Sequence, residues 1–417
     1  MRLTALFLSA AMAASPAYAD TLQEAMTDAA ASNPSLAAQR ARLEATREAL
    51  PQAWAEALPQ ISLSASASAA NNYDNEPGVD QGESSSWSGG ANVSQLIFAS
   101  GRVMATTRSA RAQIEGAVAD YDQVYQQFLL DVVSAYADVR QAQAFVVARE
   151  RTVENLTTQV DFAQAQFDAG VITRTDVARS QARLAQARTQ LVQAQGQMAA
   201  SVEAYMRLVG RPPSDLQEPP ETQGLPASLD GALDLAGRAS PILRSAIAAT
   251  EKADADVDVA ASGGRLRVTL EASSGISGDF EPTDYESQND SVGVRFSLPL
   301  FSGGSVRSRT RAQRSIRTAV TLDLASAQRS VRESVTTAWT GLLSARAAVE
   351  SARDGVEAAE LAYEGVTLER ETGLRSTVEV LDTEQDLLDA RLTLAQAERE
   401  LVVAERRLLA AMGQLEP

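Results

Sequence analysis

The sequence predicts a mainly α-helical chain with a β membrane part, built as two copies of one unit. Three observations carry that expectation. Segments recur at an offset of roughly two hundred residues, four segments alternate apolar with polar residues, and two very long stretches keep a 3.5-residue apolar repeat. In each half the order is helix, strand, polar loop, strand, very long helix, glycine turn, long helix.

Residues 1–19 read as a secretory signal: Arg2, the apolar Leu3–Ala14, then the small-residue site Ala17-Tyr18-Ala19, so that the mature chain starts at Asp20. A first repeat is expected over 20–212, a proline-rich linker over 213–228 and a second repeat over 229–417. The repeat is legible in residues. Ala31-Ser32-Asn33-Pro34 returns as Ala239-Ser240-Pro241, and Leu96-Ile97-Phe98 through Gly101 returns as Leu298-Pro299-Leu300-Phe301-Ser302-Gly303. Between the halves, Pro212, Pro213, Pro219, Pro220 and Pro226 forbid a continuing helix.

Strands are expected at about 60–70, 87–98, 265–277 and 290–300. Ile61, Leu63, Ala65, Ala67 and Ala69 alternate with Ser62, Ser64, Ser66 and Ser68, and Val292, Val294 and Phe296 alternate with Gly293, Arg295 and Ser297. Period two sets one face in an apolar medium and the other in a polar one. Segments of this length suit transmembrane β-strands with polar outward loops at Asn71–Ser86 and Gly278–Asp290; a water-exposed sandwich gives the same alternation. Tyr73, Trp87, Phe98, Phe280, Tyr285 and Phe301 lie near strand ends, as interfacial aromatics do.

Long helices are expected over 102–169, 174–209, 305–371 and 376–412. Ile114, Val118, Tyr121 and Tyr125 step by four and three through Val146, and the pattern resumes after a break at Arg149; Val331, Val335, Ala338 and Leu342 do the same through Val366. This is coiled-coil packing with alanine on one seam for close approach. Sixty-odd residues make a helix on the order of 100 Å, far longer than a bilayer's hydrocarbon core.

Composition narrows the function. The chain has no histidine and no cysteine, which removes disulfides, thiolate metal sites, triads and most neutral-pH general bases, so no enzyme, metal or cofactor is expected. A net charge of −17 opposes nucleic-acid binding. No run after the signal approaches the roughly 20 apolar residues of a spanning helix, so a membrane span must be a β-barrel. Four strands cannot close one, and open edges cannot face lipid, so two, three or more copies must share it.

The ordered set of motifs resembles the TolC family of outer-membrane efflux proteins, over essentially the whole mature chain. Phe296-Ser297-Leu298-Pro299-Leu300-Phe301-Ser302-Gly303-Gly304 is similar to the family's strand-to-helix junction. The segments from Ala169-Gly170 to Val177 and from Gly373 to Asp382 are similar to its two periplasmic hairpin turns. The resemblance implies a homotrimer with a shared 12-stranded barrel in outer-membrane lipid and a helical tunnel across the periplasm. It would passively export cargo from an inner-membrane pump or ABC transporter through a periplasmic adaptor, in efflux or type I secretion.

The resemblance also implies site residues. Glu379 and Asp382 align with the acids that ring the closed entrance, where three copies would favour cations; acids at a helix start are favourable in any case. Asp176 and Thr175, with Arg375 and with Arg370 where the family often has tyrosine, align with the contacts that hold the entrance closed. Gly170 and Gly373 fit the turns, and Gly101, Gly303 and Gly304 the strand-to-helix bends. The short end after Gly413 leaves any equatorial belt to Gly210–Ser228 and the helices near Thr21–Leu50 and Leu229–Ser262, and the missing cysteine opposes a lipid anchor. A periplasmic coiled-coil adaptor or a trimeric coiled-coil fibre without a barrel is the competing reading; the serine-spaced strands count against the first, the duplication and proline linker against the second.

Overall fold

The computed structural model describes residues 20–71, 83–220, 222–281, 286–372 and 374–417. The signal segment, the loop carrying Tyr73, Tyr285 and the turn residue Gly373 lie outside them. In order, the elements are α1 (Leu22–Ser32), α2 (Pro34–Arg47), α3 (Ala49–Ala55), β1 (Gln60–Asn71), β2 (Glu83–Phe98), α4 (Arg102–Asp168) and α5 (Arg174–Val209). Then follow α6 (Leu229–Ala239), α7 (Pro241–Ser262), β3 (Arg267–Glu281), β4 (Glu286–Ser297), α8 (Ser305–Glu371) and α9 (Thr377–Met412).

The duplication holds residue for residue. Adding 207 carries α1 onto α6 and the span of α2 and α3 onto α7; adding 203 carries α4 and α5 onto α8 and α9. The four-residue difference falls between the two strands of each repeat.

The chain divides into two compact units. One holds residues 39–121 and 241–330, with the sheet. Its strands run in the order β1-β2-β3-β4, every neighbour antiparallel. The register places Ile61, Val93, Ala272 and Val292 in one row, and Leu270 with Val294 and Val268 with Phe296 beside them. That face is apolar and bare: Leu63 is 85% exposed, Val292 78% and Phe296 69%. The opposite face is a ladder of hydroxyls. Ser66 and Ser88 hydrogen-bond at 2.8 Å, Ser68 and Ser86 at 3.1 Å, and Ser273 and Ser291 at 2.7 Å. Arg295 donates to both oxygens of Glu271 at 2.8 and 2.7 Å.

The strands differ from expectation at their ends. β2 and β3 run into segments expected as loops, and in β2 the Ser86 hydroxyl meets that of Ser68 across the strands. β4 stops at Ser297 instead of 300, since Pro299 has no N–H to donate. From β2 the chain turns into α4 through Ser100 (φ 48°) and Gly101 (φ 84°). Ser100 tolerates the left-handed region because its hydroxyl donates to the Leu266 carbonyl at 2.7 Å. In this unit α4 meets α7 through Arg108–Asp258 and Ser109–Asp256, at 2.5 and 2.6 Å.

The other unit holds residues 20–38, 122–240 and 331–417 of the described chain. Here α1 packs on α5, α6 on α9, and α5 on α9. Of the seam residues named from the heptads, Val146, Val331, Val335, Ala338 and Leu342 are buried. The helix expected over 102–169 is continuous through the break in the heptad pattern at Arg149, whose guanidinium donates to Gln190 on α5 at 2.9 Å. The linker is a packed strap. Asp20 pairs with Leu216 in a parallel bridge, its buried carboxylate meets Arg211 at 2.5 Å, and the Tyr136 hydroxyl reaches the Gln217 carbonyl at 2.6 Å. Among the described residues no helix is long and apolar enough to cross a membrane.

Candidate functional site

The two hairpin turns, α4 to α5 and α8 to α9, are built alike. Each long helix ends with an amide reaching back five residues: Val171 N–H to the Gln166 carbonyl, and Leu374 N–H to Glu369, both at 2.9 Å. The closing residue of the first turn is Gly170, at φ 74°, where a side chain would be strained.

Each following helix then starts on a capping box, because a hydroxyl residue precedes an acid by three positions. Thr173 donates its N–H and hydroxyl to Asp176, at 3.1 and 2.8 Å. Ser376 donates the same two groups to Glu379, both at 2.9 Å. These bonds favour ionised acids. Thr173 holds the Asp176 carboxyl below its ordinary range. The Ser376 amide, then Arg375, pull Glu379 down to about 2. Arg375 clamps its own turn, meeting Glu369 at 2.7 Å and Glu379 at 2.9 Å.

The residues expected as a latch are therefore not joined within one chain. Asp176 and Arg375 spend their charges on local caps and bridges, and Thr175 is exposed, its side chain in no hydrogen bond among the described residues. Arg370 does not reach Asp176 either. It donates to Gln159 and lies 4.4 Å from the centroid of the Phe162 ring, tying α8 to α4. Of the two acids expected at the entrance, Glu379 caps α9, and Asp382 faces Arg183 of α5 at 3.4 Å.

One polar residue of this tip escaped the sequence reading. Glu384 on α9 is 3% exposed, and both its oxygens accept from the Asn155 amide of α4, at 3.1 Å each. Tyr363 of α8 and Thr152 of α4 bond it as well, yet burial outweighs them and raises its carboxyl. Burial, then Glu384, pushes the Tyr363 phenol up to about 12. The signal was an acid on the seam Val380, Glu384, Leu387, where coiled coils place apolar side chains. Beneath it Leu156, Leu184, Ala187 and Leu381 form the local core.

Among the described residues no group of acids could hold a metal ion. The arrangement sets two matched, capped turns with exposed charges at their ends beside one buried polar knot joining α4, α8 and α9.

Comparison with known proteins agrees in sequence and in fold. The sequence model described as "Outer membrane efflux protein" matches residues 25–211 and 232–414. Outer membrane efflux protein BepC of Brucella suis is 30% identical over 297 residues, covering 70% of this chain and 64% of that protein. Outer membrane protein TolC of Vibrio cholerae is 28% identical over 350 residues, 80% of this chain and 77% of its own. The solved outer-membrane channel OprN superposes with a TM-score of 0.81 at 25% identity, over 94% of this chain and 90% of that one.

Proposed function

The chain belongs to the outer membrane efflux protein family, and on that premise we propose that it is the outer-membrane duct of a tripartite efflux or type I secretion machine. It resides in the outer membrane. The observation that carries the reading is the sheet: one bare apolar face, one hydroxyl-lined face, and two edges, β1 and β4, that no strand among the described residues of the same chain covers. In lipid an open edge leaves amides and carbonyls unpaired at several kcal/mol each, so the edges must be closed by further copies. Three copies give twelve strands, apolar side to lipid and serines to the lumen.

Cargo reaches this duct from an inner-membrane transporter by way of a periplasmic adaptor, and passes without chemistry in the duct itself. The paired hairpin turns form the entrance. Glu379 and Asp382 supply its carboxylate ring, and the local clamp on Glu379 keeps it ionised throughout the physiological range, which suits a cation-favouring constriction. Closure is held by Arg375 of one copy reaching toward Asp176 of the next, exchanging a local partner for a neighbouring one. Exposed, such a contact is worth about 0.2–1 kcal/mol, which suits a latch that opens.

Planar-bilayer recordings test both levels. The detergent-purified protein is expected to insert as a small, mostly closed cation-preferring pore, and absence of any pore refutes the duct. Asp176→Ala or Arg375→Ala should raise the closed-state conductance; an unchanged leak removes the latch and leaves the duct standing.

A further inference from the structure

The two hairpins of the sheet pair in the same register. Gln60 lies opposite Ser94 and Ser62 opposite Asn92 in the first, as Arg267 lies opposite Ser297 and Thr269 opposite Arg295 in the second. The offsets 207 and 203 that relate the helices thus relate the strands as well. At the helix end of the hydroxyl face, however, the chemistry departs from the repeat. The first hairpin carries Gln60, Ser64 and Asn92 there, and the equivalent places of the second carry Arg267, Glu271 and Arg295.

The first hairpin shows that two amides and a hydroxyl suffice at these places for the strands to pair. The charges of the second are not needed for its register, and they do not cancel. Glu271 holds Arg295 in a fork at 2.8 and 2.7 Å, while Arg267 is exposed and meets no side-chain partner among the described residues. Two guanidiniums and one carboxylate leave a positive excess in every copy of a chain whose net charge is −17. Farther along this face of β3, toward the loops, follow Ser273, Gly275 and Ser277, all uncharged. The cationic excess on these strands is set at the helix end of the sheet.

Resting on the shared-sheet reading above, we propose that Arg267 and Arg295 form a cationic collar in the lumen that takes the oxyanion groups, carboxylate or phosphate, of passing cargo. A guanidinium presents paired donors that match two oxygens of such a group. The fork of Arg295 on Glu271 displays that geometry, and Arg267 has the same donors free for cargo. Each further copy adds the same three side chains, alternating around the barrel with uncharged first hairpins. Exposed contacts of this kind are individually weak, so an anion is steered and then released. The sign is opposite to that of Glu379 and Asp382, so an anionic probe reads the collar and not the carboxylate ring.

Planar-bilayer recordings of the full-length protein, with inorganic tripolyphosphate as the probe, test the collar. Tripolyphosphate should block the unsubstituted pore, and less so at high ionic strength. Arg267→Gln/Glu271→Ser/Arg295→Asn gives the second hairpin the side chains of the first. It should raise the half-blocking concentration on the order of tenfold, since several exposed contacts worth a few-fold each are lost together. Glu271→Ser alone frees Arg295 and should lower that concentration, a direction that a purely structural ion pair would not give. No block of the unsubstituted pore, an unchanged half-blocking concentration in either variant, or a rise with Glu271→Ser overturns the collar and leaves the shared sheet standing.

The chain has no cysteine, so Arg267→Cys can be read with thiol reagents in isolated outer membranes. A charged, water-soluble reagent should label it. Labelling by a lipid-soluble reagent alone would set this face against lipid, and the shared-sheet reading would fall together with the collar.

Discussion

Thr173 and Ser376 hold equivalent places, one at the start of each second hairpin helix, and each engages its acid through amide and hydroxyl together. Replacing either by alanine removes a side-chain cap and should weaken its helix start by about 0.5–2 kcal/mol. Faster hydrogen exchange in the first turn of α5 or α9 would report it; unchanged exchange would mean that the box contributes nothing there. Glu379 and Glu384 stand five residues apart with opposite pH signs. Glu379 is lowered in the folded chain, so its contribution is present above the ordinary 4.5 and is lost as pH falls toward about 2. Glu384 is raised, so the stability from its protonated form is full below about 4.5 and is lost as pH rises through the folded value. Glu384→Gln should therefore flatten the dependence of α9 protection on pH above 4.5. Glu384→Leu, which leaves the Asn155 amide without its acceptor, should cost about 1–3 kcal/mol. The knot was missed in the sequence because the seam was read by its apolar members, although an acid between Val380 and Leu387 is itself the anomaly to look for. Arg375 was seen only as a cross-coil partner; nothing in spacing reveals that Glu369 and Glu379 bracket it in space.

At the scale of elements, periodicity was the reliable guide. The seams of α4 and α8 and the faces of β1 and β4 follow from counting, because period 3.5 and period 2 each leave one buried or apolar side. Ends were less legible. Ser86 looks like a loop residue in sequence, and lies in strand where its hydroxyl meets that of Ser68 across the gap. Arg149 interrupts the apolar pattern but not the helix, and Gln190 on α5 satisfies its guanidinium. The two faces of β1 should respond oppositely to charge. Leu63→Arg sets a guanidinium against lipid, at about 2–4 kcal/mol per copy near the bilayer centre, and should sharply reduce the heat-modifiable, protease-resistant form in outer membranes. Ser64→Arg, one residue on, faces the lumen and should assemble. Equal loss from both would show that β1 does not divide lipid from water.

For the whole molecule, the duplication was visible as scattered matched words, but its constancy was not. Only the element bounds show that two offsets, 207 and 203, cover nearly the entire chain. The number of copies likewise lies beyond composition and pattern, which demand more than one and stop there. Selectivity belongs to this scale, since a ring exists only in an assembly. Glu379→Gln with Asp382→Asn should lower the cation-to-anion permeability ratio, read as a reversal potential under a salt gradient, and should do so more at low than at high ionic strength. A potential indifferent to both substitutions would locate the selective constriction elsewhere.

The bare side of the sheet has a consequence before any duct exists. Leu63, Val292 and Phe296 point at whatever surrounds a single polypeptide, and flanking Leu300 and Phe301 are about nine-tenths exposed. Strands so greasy, with two sticky rims, would clump with strangers in the aqueous gap after export. Until siblings and bilayer cover those strands, the polypeptide is in a race against aggregation.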